Sequence, residues 1–66
     1  MLDPDIKVLR QIQDARFEDG KTIPFIRVTF KVGDHGPFAQ KFDLDGFTGQ
    51  LRDDALNTFA REVRVQ

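Results

Sequence analysis

The chain contains no cysteine, tryptophan, tyrosine or serine, and its only histidine is His35. Without cysteine it can form neither disulfides nor thiolate metal sites, and one histidine cannot supply a structural zinc site. The absence of serine, cysteine and tyrosine also reduces the possible catalytic nucleophiles to threonines, carboxylates and lysines. The sequence therefore predicts no catalytic residues, no metal ligands and no cofactor, and we expect that the protein is not an enzyme.

Long hydrophobic runs and strong net charge are also absent. No apolar run approaches the roughly 20 residues that span a membrane, and the N-terminal "MLDPDIK" lacks the basic and apolar regions of a signal peptide. The formal net charge is −1, whereas nucleic-acid-binding domains are normally clearly basic. We expect a cytoplasmic protein with no membrane contact, and the charge does not favour a nucleic-acid partner.

The length of 66 residues allows one domain, residues 1–66. A domain of this size buries only about 60% of the surface that its unfolded chain exposes, so its stability is marginal. Disulfides and metals are excluded here, which leaves regular packing and self-association as sources of stability. A homo-oligomer is therefore one expectation for this chain.

Two segments in the middle of the chain have the period of β-strands. Residues 25–32, "FIRVTFKV", alternate and are rich in β-branched and aromatic residues. Residues 38–44, "FAQKFDL", repeat the alternation with Phe38, Phe42 and Leu44 on one face, which Gln40 interrupts. The glycine-rich segment 33–37 between them indicates a hairpin. Pairing Val32 with Phe38 and Val28 with Phe42 would place these apolar side chains on one face.

The connection between these strands holds His35 between Gly33 and Gly36. Glycine adopts the positive φ values that a tight reversal requires. A catalytic base needs a nucleophile or a substrate group within reach, and the chain offers few. We interpret His35 as a turn residue without a catalytic role.

The C-terminal segment changes to a helical period. Its apolar residues predict a helix over residues 49–63 with Thr48 as the N-cap. Such a helix is about 22 Å long and matches a seven-residue strand of about 23 Å, so it can cover one face of a sheet. The predicted core between sheet and helix comprises Val28, Phe30, Phe42, Leu56 and Phe59.

The N-terminal residues 7–16 fit both a helical stripe and a strand alternation. The turn signal "EDGK" at residues 18–21 and the free edge of the neighbouring strand favour the strand. The expected register places Ile12 opposite Val28. The predicted fold class is α+β: a three-stranded antiparallel meander, β-β-β, with one C-terminal helix packed on one face.

The sheet face opposite the helix is the candidate interface. Patches of aromatic, aliphatic and basic side chains on small domains often mark protein contacts, although the face could also be ordinary solvated surface. The alternative is a nucleic-acid-binding module that uses Phe25, Arg27, Lys31 and Lys41, since aromatics beside cations can stack bases. The candidate interface residues are Leu9, Phe17, Phe25, Arg27, Thr29, Lys31 and Lys41.

The stretch "RVTFKVGDHGPF", followed by "GFT" and a short charged helix, resembles small proteins encoded among phage and prophage structural genes. The resemblance covers about residues 25–60 and implies a non-enzymatic protein, without carrying functional residues over. The sequence therefore predicts a small protein-interaction or structural module, in the manner of a phage assembly component. It would dock through the open sheet face or an edge strand on a protein partner or on itself.

Overall fold

The computed structural model describes residues 1–65 as one antiparallel sheet and one helix. The strands are β1 (Ile6–Glu18), β2 (Lys21–Val32) and β3 (His35–Asp43), and the helix α1 spans Gly49–Val65. The strand order in the sheet is β1-β2-β3, and α1 packs on one face. The predicted α+β meander with a C-terminal helix is confirmed.

The N-terminal segment is a strand, as the turn signal indicated. β1 and β2 are joined by the two residues Asp19 and Gly20, with φ values of 53° and 73°. Two central residues with positive φ are typical of the type I′ turn, whose twist matches that of a β-hairpin. This turn fixes β1 beside β2 and outweighs the slight helical preference of residues 7–16.

A bulge in β1 changes which of its side chains face the helix. The pairing shifts between Val8, opposite Phe30, and Arg10, opposite Thr29, so Leu9 has no partner. Beyond this bulge, Gln11 lies opposite Val28 and Ile12 lies opposite Arg27. The predicted pairing of Ile12 with Val28 is wrong, because one inserted residue moves every later side chain to the other face.

The hairpin between β2 and β3 is tighter than the sequence suggested. The prediction that His35 is a turn residue is wrong, because His35 is the first residue of β3 and lies opposite Val32. Further along β3, Phe38 lies opposite Phe30 and Phe42 opposite Ile26. The predicted pairs Val32–Phe38 and Val28–Phe42 are therefore wrong by two residues. The reason is that the turn uses only residues 33–34, and a second irregularity falls within residues 35–38. The shift is even, so Phe38 and Phe42 remain on the helix face.

The helix begins at a capped N-terminus and carries the apolar residues that cover the sheet. The Leu51 N–H donates to Thr48 Oγ1 at 3.0 Å, which is the predicted N-cap. Of the predicted core residues, Phe42 and Phe59 are only half-buried. The hydrophobic core consists of Ile6, Ile26, Val28, Phe30, Val32, Leu56 and Ala60.

Aromatic contacts connect three elements of the fold, namely β2, β3 and α1. The ring of Phe30 lies 5.4 Å from that of Phe59 and 5.9 Å from that of Phe38, centroid to centroid. Phe38 and Phe59 are 4.8 Å apart in an edge-to-face arrangement. Such pairs contribute about 0.5–1.5 kcal/mol beyond their buried area, so the cluster fixes α1 over β2 and β3.

The segment before β1 ties the C-terminal half of the helix to the sheet. Arg64 donates to Asp3 Oδ2 at 2.8 Å and to Asp5 Oδ2 at 3.2 Å. Asn57 donates to the Met1 carbonyl at 2.8 Å. The hydrogen bond from Arg64 lowers the pKa of Asp3 to about 2, so this carboxylate stays ionised well into the acid range.

Candidate functional site: the open face of the sheet

The face of the sheet that α1 leaves uncovered is predominantly basic. In the observed register, cations from all three strands share this surface, which we call the open face. Two of its three acidic side chains are already paired, Asp14 with Arg27 at 3.1 Å and Glu18 with Arg16 at 3.3 Å. The basic members are Lys7, Arg10, Arg16, Lys21, Arg27, Lys31 and Lys41, and the acidic members are Asp14, Glu18 and Asp43.

The charge of the chain is strongly segregated between this face and the rest of the molecule. The sequence has ten Lys or Arg and eleven Asp or Glu. Seven of these ten cations but only three of the eleven acids belong to the open face. A nearly neutral chain therefore presents one positive surface and is acidic elsewhere. Clustered charge of one sign attracts oppositely charged partners over distances of about a Debye length.

Two of the cross-strand pairs on the open face bring like charges directly opposite each other. Lys7 faces Lys31 across β1 and β2, and Arg27 faces Lys41 across β2 and β3. Each such pair is destabilising by a few tenths of a kcal/mol. The Asp14 carboxylate offsets the repulsion between Arg27 and Lys41, whereas Lys7 and Lys31 make no ion pair with a carboxylate within residues 1–65. Departures from local rules of this kind concentrate at functional sites.

Two of these cations, Arg27 and Lys41, lie over the ring of Phe25. This ring is only 5% exposed, although it lies on the open face. The Arg27 guanidinium carbon is 5.8 Å from the ring centroid, and the Lys41 ammonium nitrogen is 5.4 Å from it. These distances suit cation–π contacts. They hold both charges at the surface and leave little of the ring free for a ligand.

The structure brings together five of the seven predicted interface residues. Phe25, Arg27 and Thr29 share the open face with Lys31 and Lys41.

Leu9 and Phe17 do not belong to that group. Leu9 lies unpaired at the bulge and is 47% exposed. Phe17 is opposite Thr22, which places it on the helix side of the sheet near the tip of the β1–β2 hairpin, where it is 80% exposed. Their predicted membership of the face opposite the helix is not supported by this register.

Sequence reasoning missed four basic residues of the open face: Lys7, Arg10, Arg16 and Lys21. The two arginines reach this face because the bulge at Leu9 reverses the alternation of β1. The spacing itself contained a signal, since Arg10, Ile12, Asp14 and Arg16 alternate with uncharged residues. That alternation marks one face, but it does not tell which face the helix covers.

His35 lies at the rim of a shallow cleft that is separate from the open face. The cleft is lined by His35, Phe38, Phe59, Glu62 and Val63. His35 and Glu62 are both exposed, and no hydrogen bond joins them among residues 1–65. The cleft therefore combines an exposed imidazole and a carboxylate with a mainly apolar floor, and none of its lining residues carries a hydroxyl group.

Residues 1–65 contain neither a cluster of metal-ligating side chains nor a helix that could cross a membrane. No group of three or more His, Asp or Glu side chains in this range is arranged to hold a metal ion. Likewise, the single helix of the described range does not have the length and apolar character that crossing a bilayer requires.

The fold and the open face define a small, one-sided α+β domain with a cationic sheet surface. Comparison of the chain with protein-family models, curated proteins and solved structures finds no match. What the chain does must therefore be inferred from the chemistry of its own surfaces.

Proposed function

We propose that the protein is a non-enzymatic interaction module that docks the open face of its sheet on an acidic surface of a protein partner. The observation that carries this proposal is the segregation of charge, with seven of ten cations on one uncovered face. Within residues 1–65, five of these cations make no ion pair with a carboxylate. They are Lys7, Arg10, Lys21, Lys31 and Lys41.

The opposed like charges strengthen the proposal. Carboxylates of a partner placed between Lys7 and Lys31, or between Arg27 and Lys41, would replace repulsion by attraction. Such complementarity mainly raises the association rate and selects the partner, rather than adding large affinity. The partner therefore gains a preferred position on the face without a deep pocket.

A second candidate is nucleic acid, and the same basic face favours it. Phosphates would contact the lysines and arginines, giving an affinity that falls steeply with salt. Base stacking, however, requires exposed aromatic rings, and Phe25 is 5% exposed. The open face thus has the cations of a nucleic-acid surface but not its stacking platform, so we rank an acidic protein surface first.

Fluorescence anisotropy with labelled polyglutamate and a labelled single-stranded oligonucleotide tests both candidates. We expect binding of polyglutamate at low salt, lost or weakened about tenfold in Lys31→Glu. The matched control is Arg61→Glu, which makes the same change in net charge on the exposed side of α1.

Equal weakening by both substitutions would mean that only net charge matters, and the open face would then not be the site. Much tighter binding of the oligonucleotide than of polyglutamate, with a steep salt dependence, would favour the second candidate. The resemblance to small phage proteins stays a prediction, and the proposal does not depend on it.

A further inference from the structure

The outer edge of β1 presents backbone groups that no strand covers. The Pro24 carbonyl accepts from the Leu44 N–H at 3.4 Å, so the backbone of Pro24 is directed towards β3. Ala15 lies opposite Pro24, and its backbone groups must therefore point away from β2. Because this direction alternates along a strand, Gln11 and Gln13 also present their backbone N–H and C=O groups to the free edge.

Two features limit the part of this edge that is available for pairing. The bulge at Leu9 ends the regular strand on one side. On the other side, the Ala15 N–H already donates to its neighbour Asp14 Oδ1 at 2.8 Å. Between them lies the segment "RQIQD", residues 10–14. The opposite edge of the sheet, β3, contains Pro37 near its start, and proline protects an edge against pairing.

The free segment is complementary to itself when it is read in the antiparallel direction. If Ile12 of one copy faces Ile12 of another, Arg10 faces Asp14 at both ends. We propose that two copies of the chain pair antiparallel through residues 10–14 of β1, with Ile12 on the two-fold axis. An edge strand is the second docking surface expected from the sequence, and a second copy of the chain would be its partner. This proposal goes beyond the docking of the open face and does not depend on it.

Backbone hydrogen bonds and charged side chains would both contribute to this pairing. Gln11 of one copy and Gln13 of the other both direct their backbone groups outwards, so they can exchange hydrogen bonds on each side of the axis. Arg10 is exposed and has no ion-pair partner within residues 1–65. Asp14 accepts from Arg27, and the arriving Arg10 would add a second cation to its carboxylate.

Neighbouring registers place like charges together. Sliding one copy by two residues brings Arg10 opposite Arg16. A further two residues bring Asp14 opposite Asp14 on the axis and Arg10 opposite Glu18. A slide in the other direction leaves Arg10 opposite Ile12 and runs into the bulge at Leu9. Like charges directly opposite each other are destabilising. Both slides towards Arg16 also need the Ala15 N–H for strand pairing, and this N–H already donates to Asp14. Charge and hydrogen bonding together therefore favour the register centred on Ile12.

This pairing would join the two sheets into one without turning either over. Directly opposite residues share a face, so both open faces lie on the same side of the combined sheet. The dimer then presents one continuous basic surface of twice the size. A contact of five residues per copy is short, and interfaces of this size belong to weak, transient complexes. We expect dimers only at concentrations of about 10 µM to 1 mM.

Charge-swap variants test the pairing by sedimentation equilibrium. We expect Arg10→Asp and Asp14→Arg each to weaken self-association about tenfold or more, because each brings like charges together at both ends. An equimolar mixture of these two variants restores Arg–Asp contacts at both ends, and we expect it to form heterodimers. A monomeric wild type at about 1 mM would overturn the proposal, and so would a mixture that stays monomeric while both variants melt like the wild type.

A second measurement keeps the proposal open to refutation if a charge-swap variant fails to fold. Ile12→Cys would be the only cysteine in the chain, and opposed non-hydrogen-bonded residues lie about 4.5 Å apart between Cα atoms, which permits a disulfide. We expect Ile12→Cys to oxidise rapidly to a covalent dimer, and the control Phe17→Cys to do so much more slowly. Equal rates would contradict the register. None of these results depends on binding of polyglutamate, so the two proposals fail separately.

Discussion

The two faces of the sheet carry different kinds of side chain, apolar on the helix side and mainly charged on the open side. On the helix face, Val28 and Phe30 are fully buried and contact α1 and β3 through apolar and aromatic side chains. On the open face, the intervening residues Arg27, Thr29 and Lys31 of the same strand carry hydroxyl or charged groups. One strand thus supplies packing on one side and electrostatic potential on the other. The helix face therefore supplies most of the stability of the fold. The open face instead contains repelling cations, such as Lys7 and Lys31, that make no contribution to stability.

The largest expected effect comes from removing a buried aromatic side chain from the helix face. Phe30 is fully buried and contacts the rings of Phe38 and Phe59, so Phe30→Ala should destabilise the fold by about 3–5 kcal/mol. In a marginal domain this is enough to unfold much of the population. The neighbouring control on the open face, Thr29→Ala, should change stability by no more than about 1 kcal/mol. Urea denaturation measures both, and similar midpoints would contradict the contrast between the faces.

The next effect concerns the irregular start of β3, directly after the turn at residues 33–34. Gly36 has φ of 116°, and an added Cβ would lie 3.2 Å from the Phe38 nitrogen and 3.3 Å from the Phe30 oxygen. We expect Gly36→Ala to destabilise the fold by about 1–3 kcal/mol. The adjacent His35→Ala should shift stability by about 0.5 kcal/mol or less, as exposed substitutions do. Thermal unfolding followed by circular dichroism compares the two variants, and a larger loss for His35→Ala would contradict the expectation that its side chain contributes little to stability.

A smaller effect of the opposite sign is expected on the open face. Lys31→Glu replaces the like-charge pair with Lys7 by an attractive one and should stabilise the fold by about 0.5 kcal/mol. The same substitution should weaken binding of polyglutamate. Lys21→Glu is the mirror control, because it places a glutamate opposite Glu18 and should be slightly destabilising. If Lys31→Glu lowers stability as well, the repulsion inferred from the register is absent.

The smallest expected effect lies at the exposed contact between the N-terminal segment and α1. The folded-state pKa of Asp3 is about 2, against an ordinary value of 3.8. A carboxyl with a lowered folded pKa stabilises the fold above its unfolded pKa and loses that contribution as the pH falls. The wild type should therefore exceed Asp3→Asn in stability above about pH 4. This difference should shrink as the pH falls through 2, and urea titrations at several pH values would detect it. A difference that is independent of pH would mean that the charge of Asp3 is not responsible.

The predicted elements follow from local physics, which explains why they match the structure. The alternation of residues 25–32 marks β2, and the helical period after Thr48 marks α1. The turn at residues 18–21 needs only Asp19 and Gly20 at positive φ, which short-range chemistry can specify. The core residues Val28, Phe30 and Leu56 are fully buried as predicted, because each lies on the apolar side of a regular element.

The predictions that were wrong concern how the strands pair with one another. The register of β2 with β3 was wrong by two residues, because the reversal at residues 33–34 is tighter than a glycine-rich segment of five residues suggests. The side of β1 that faces the helix was wrong beyond Leu9, because periodicity does not reveal a bulge. This second error concealed two of the seven cations of the open face, since Arg10 and Arg16 reach that face only through the bulge.

The sequence by itself determined the number, kind and order of the elements, the absence of cysteine chemistry and the near-neutral total charge. Only the tertiary structure decided where that charge lies. The net charge counts cations and acids without regard to their positions. In a strand, by contrast, successive side chains point to opposite faces of the sheet. One extra residue at Leu9 reverses this assignment for the rest of β1. The basic open face and the free edge centred on Ile12 are therefore properties of the register, and the register is set by strand pairing between distant parts of the chain.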